Sequence, residues 1–87
     1  MDHITQGLEA VGHAAKTGDA TKTGKAIQDL RALLKDAKTK SGILEKLDSE
    51  LGIWQSKLST IFKEPVGREG MVKHARHWVT SLRGGTQ

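Results

Sequence analysis

Apolar residues recur along this chain at helical rather than strand spacing, in four separate stretches. In the first, Asp2 to about Lys16, the residues Ile4, Leu8, Val11 and Ala15 fall on one stripe, with Asp2 placed to cap it. Gly7 and Gly12 interrupt that helix. Each weakens it by roughly 1 kcal/mol relative to alanine, which points either to a neighbouring helix that needs the space or to a helix held only by packing. "TGDATKTG" at 17–24 reads as the turn into a second helix, with Asp19 or Thr21 as its cap. The second helix puts Ala26, Ile27, Leu30, Leu33, Leu34 and Ala37 on its apolar face. "KTKSG" at 38–42 breaks the pattern, and Ser41 stands where it can cap the third. There Leu44, Leu47, Leu51, Trp54, Leu58 and Ile61 alternate at spacings of three and four, a heptad stripe widened by Ile43 and Phe62. Pro65, in "KEPVGREG", stops it. In the last stretch Met71, Ala75, Trp78 and Leu82 share a face, with Val72 and Val79 alongside, until Gly84-Gly85 ends the helix.

Alternating runs rich in Val, Ile and Thr are absent, and the connections are short. The expectation is an all-α, antiparallel (up-down-up-down) four-helix bundle with helices at about 2–16, 20–37, 41–63 and 69–83. A chain of 87 residues makes one domain, here 1–83, with 84–87 as a C-terminal tail or linker stub.

Composition sharpens this in two ways. Aromatic residues make up only 3% of the chain, so the core must be aliphatic. Cysteine is absent, which removes disulfides, thiolate metal sites and cysteine nucleophiles and fits a soluble, cytoplasmic protein. No apolar run approaches the ~20 residues of a membrane span, so no membrane partner is expected. The net charge of +4 is concentrated in residues 16–40 and 63–87, which opens acidic proteins and nucleic acid as partners.

The last helix separates its chemistry by face. Trp78 belongs to the apolar stripe, where it is poorly placed to stack on a base. Lys73, Arg76 and His77 lie on the other side, with His74 at the edge. On the third helix, Ile53 points about 120° from the centre of the heptad stripe, toward either a neighbouring helix or a partner. Together these give the leading expectation: a small adaptor or self-association module that binds another protein, or a second copy of itself, through Ile53, Lys73, Arg76, His77 and Arg83.

Two alternatives remain. Arg31, Lys35 and Lys38 of the second helix, with Arg68, Lys73 and Arg76 of the last, would make a nucleic-acid surface if both flanks faced one side. His13 lies about 180° from Ile4, hence toward solvent, with Lys16 three residues on. That arrangement resembles histidine-phosphotransfer domains, four-helix bundles carrying a histidine with lysine three and glycine four positions later. The resemblance implies a phosphoacceptor role for His13. The chain departs from the pattern in that Thr17 stands at the glycine position, Gly18 comes one later, and His13 is on the first helix.

Catalysis is not expected. Nucleophile elbow, phosphate loop and HExxH are all missing from the sequence. His74 and His77 have a spacing that can share a metal, but no motif joins them to further ligands at Glu69, His3 or His13. Cofactor, metal and small-molecule substrate are therefore all expected to be none.

Overall fold

A computed structural model of the chain describes residues 2–37 and 42–83. Among these residues there are five helices and no strand: α1 (Asp2–Thr17), α2 (Ala20–Ala37), α3 (Gly42–Ser56), α4 (Leu58–Ile61) and α5 (Pro65–Leu82). The four long ones fit a helix bundle, and α4 is a single turn between α3 and α5. The expected cap at Ser41, Lys38, the side chains of Asp2 and Ala37, and the tail at 84–87 lie outside the described residues.

The core is the aliphatic one that composition demands. Ile4, Leu8, Val11 and Ala15 of α1 are buried against Ile27, Leu30 and Leu34 of α2, Leu44, Leu47, Leu51 and Trp54 of α3, and Met71 and Ala75 of α5. The helix α1 makes close backbone approaches to both α2 and α5. Its glycines explain why. A Cβ on Gly7 would stand 2.8 Å from Leu30 Cδ1, and one on Gly12 would meet Ala75 Cβ at 3.4 Å. The turn that follows is a glycine-closed helix end. Gly18 has φ +80°, its N–H donates to the Ala15 carbonyl, and the Asp19 N–H donates to the Ala14 carbonyl at 3.2 Å. Asp19 then caps α2, its carboxylate accepting the Lys22 N–H at 2.9 Å.

Several expectations change. Leu33, assigned to the core, is 44% exposed; α2 serves α1 and α3 with the arc holding Ile27, Leu30 and Leu34, and Leu33 falls outside it. Ile43 is 40% exposed at the start of α3 rather than part of its buried stripe. The third predicted helix does not run unbroken to 63. It stops at Ser56, whose hydroxyl donates to the Ile53 carbonyl that the Lys57 N–H also uses, and this competition accompanies the break. Leu58, Ile61 and Phe62 still pack against the core beyond that break.

The last helix starts four residues earlier than predicted. Pro65 occupies its first turn, where the missing N–H costs nothing and the fixed φ suits a helix, and Glu64 is the extended N-cap residue. Pro65 therefore begins the last helix, a role that its stop signal for the preceding one does not reveal. The early start brings Gly67 against the end of α4, where a Cβ would overlap the Ile61 carbonyl oxygen.

Two glycines of one helix therefore respond in opposite directions. Gly67→Ala forces backbone apart and is expected to destabilise by about 2 kcal/mol. Gly70, with nothing within 4 Å of its missing Cβ, gains about 0.5–1 kcal/mol on change to alanine. Urea denaturation of both variants checks this, and a shift of the same sign in both contradicts the packing at α4.

Candidate functional site

The seams of α5 with α3 and with α1 differ in what their polar groups do. At the α3 seam the polar groups are used up. Glu50 Oε1 accepts a hydrogen bond from Trp78 Nε1 at 2.6 Å, while its Oε2 lies 3.1 Å from His74 Nδ1. The His74 ring stands edge-on to Trp54, with centroids 6.4 Å apart. Trp78 is half-buried rather than fully in the core, because its indole N–H needs this acceptor. One carboxylate thus ties α3 to two residues of α5.

At the α1 seam the outer surface opens into a groove of about 820 Å³. Its floor is Gly12, Val72 and Val79, over the buried Leu8 and Ala15. Lys16, Arg68, Lys73 and Arg76 line it as cations, Glu9 and Glu69 as acids, and His13 sits at its edge, where a second, smaller cleft between α1 and α2 begins. Among the described residues, no group of three histidine, aspartate or glutamate side chains is arranged to hold a metal ion.

The arginines divide cleanly. Arg31 Nε donates to Asp48 at 3.1 Å and its Nη1 donates to Gln55 at 2.9 Å, in the seam between α2 and α3. Arg83 donates to Glu9 Oε2 at 3.1 Å. The side chains of Arg68 and Arg76, both in the groove, make no hydrogen bond or ion pair among the described residues, and neither do those of Lys16 and Lys73.

The sequence-derived candidates are redistributed accordingly. Lys73, Arg76 and Arg68 come together, and they are joined by His13 and Lys16 from α1. Arg83 is paired with Glu9. Ile53, 54% exposed on α3, and His77, exposed on α5, do not line the groove. Arg31 lies in another seam, and Lys35 is exposed on α2 without lining the groove. Sequence reasoning placed Lys16 beside His13 but did not bring it to α5, because that juxtaposition is made only when α1 packs on α5.

No helix of the described residues is long and apolar enough to cross a membrane. No family model, curated protein or solved structure matches this chain.

Glu50 clamps α3 to α5. Glu50→Ala leaves the half-buried indole N–H of Trp78 without its acceptor and is expected to destabilise by about 1–3 kcal/mol. Chemical denaturation followed by tryptophan fluorescence measures it; an unchanged midpoint excludes a clamping role.

Proposed function

We infer that this protein is a non-catalytic interaction module that seats an acidic, amphipathic helical segment of another protein in the α1–α5 groove. Its long helices run up-down-up-down. Contacts that descend one helix while ascending the next support that arrangement: Glu9 with Arg83 and Gly12 with Ala75, Gly24 beside Leu58 and Arg31 with Asp48.

The observation that carries the reading is the set of unpaired cations over an apolar floor. Lys16, Arg68, Lys73 and Arg76 outnumber Glu9 and Glu69, and Glu9 already serves Arg83. An amphipathic helix fills such a groove with an apolar stripe and meets the rim with flanking charges of opposite sign. Along α5 the lining runs from Arg68 to Thr80, about 18 Å of helix, so the docked segment spans some three turns. A contact of that length is small, and the complex should be transient, micromolar or weaker.

The test uses a synthetic helix of about three to four turns, with leucine along one stripe and glutamate on both flanks. It is expected to bind, and to lose at least tenfold in affinity when Lys73 and Arg76 are both changed to Glu. Raising the salt from ~50 to ~500 mM should weaken it by a comparable factor. Ile53→Asp, outside the groove, should leave affinity unchanged. Binding that survives the double reversal, or that falls only with Ile53→Asp, moves the partner surface elsewhere. Tight binding of a duplex oligonucleotide without binding of the peptide would favour nucleic acid instead.

A further inference from the structure

We propose that the Arg68 end of this groove receives a phosphate monoester carried as phosphoserine or phosphothreonine on the docked segment; the proposal rests on the docking reading above. The chain's four arginines are not equally neutralised. Arg31 and Arg83 are each held to a carboxylate at 3.1 Å. Arg76 is unpaired but exposed, so water solvates it at no penalty. Arg68 alone among the groove cations is half-buried, and it has no partner among the described residues. It lies against the turn that closes α1, its Nε 4.0 Å from where a Cβ on Gly18 would stand. A half-buried arginine whose N–H fork has no partner is suited to a planar or tetrahedral oxyanion.

The same end supplies a second cation and room. Lys16 lines the groove two residues before Gly18, and Gly18, at φ +80°, extends no side chain over Arg68. The nearest acid of the turn, Asp19, is directed to the Lys22 amide of α2. Glutamate on the docked segment would bring one charge and two oxygens to this end. A phosphate monoester brings nearly two charges and three acceptor oxygens, enough to engage the Arg68 fork and Lys16 together. Free phosphate gains less than a phosphate delivered by a docked helix, because the groove is open and Lys16 is exposed, so the apolar seat must hold the group in place.

The experiment compares three versions of the synthetic acidic helix: serine only, phosphoserine near its N-terminus, and phosphoserine near its C-terminus. One of the two phosphopeptides is expected to bind about tenfold more tightly than the serine peptide. In Arg68→Lys, which keeps the charge and loses the fork, that gain should disappear, the gain being read as the ratio of phosphopeptide to serine-peptide affinity on the same variant. Circular dichroism confirms that the variant folds. No gain at either end, an equal gain at both ends, or a gain that persists in Arg68→Lys overturns the phosphate site. If the serine peptide binds in any of those cases, the docking reading stands and only the phosphate proposal falls. If no peptide binds, both fall.

Discussion

The Cβ that Gly7 lacks would stand 2.8 Å from a methyl of Leu30, and that missing atom sets the spacing on which the rest of the fold depends. With Gly7 turned to α2 and Gly12 to α5, α1 can lie close to both neighbours at once and bury Leu8, Val11 and Ala15 completely. Glycine in mid-helix costs about 1 kcal/mol each in propensity. Burying three apolar side chains against two partners more than offsets that, at about 1.5–3 kcal/mol for a side chain the size of leucine or valine. The helix α1 is thus held by packing on two sides rather than by its own propensity.

Geometry elsewhere follows from that placement. Because α5 is drawn in against α1, the α3–α5 seam is bridged by long side chains: Trp54, Trp78, His74 and Glu50. A bulky seam of this kind needs its indole N–H satisfied, and Glu50 does so at 2.6 Å. The α1–α5 seam has the opposite character. Small residues bring the two backbones together, and the long cationic side chains of both helices are pushed to the outer edge, where they frame the groove.

Much of this was legible in the sequence, in an identifiable way. The stripes of α1 and of α3 up to Trp54 are local patterns, and every residue assigned to them except Ile43 is buried. The cap was readable to within Asp19 or Thr21, since it depends on residues near in sequence, and the structure uses Asp19; close helix approach was one of two uses open to Gly7 and Gly12, and the partners Leu30 and Ala75 decide it. What escaped depends on partners far along the chain. Leu33 is exposed because of which arc α2 devotes to its neighbours, a choice that periodicity does not record. Pro65 carried two opposite local signals, helix stop and helix start, and the packing of Gly67 on Ile61 accompanies the second. Arginine pairing was the least legible feature. Arg83 finds its acid 74 residues away and Arg31 finds Asp48 across 17, so which arginines stay free is a property of the fold alone.

On the proposed docking function, that property matters more for recognition than for stability. The Arg83–Glu9 pair is about half exposed on both sides, and such pairs contribute between nothing and about 1 kcal/mol. Freeing or pairing a surface arginine therefore changes the folded state little, while it changes the field over the groove directly. Two charges 4 Å apart attract by about 1 kcal/mol in bulk water and by about 4 kcal/mol at the lower effective dielectric near a protein surface. An occupant that covers Val72 and Val79 displaces water from the floor and moves the rim cations toward the second regime. The apolar seat and the cations consequently reinforce one another: acid without an apolar stripe leaves the groove wet, and an apolar stripe without acid leaves the cations partly desolvated and unpaired. A selective partner must bring both, at a spacing that matches the two edges of one groove.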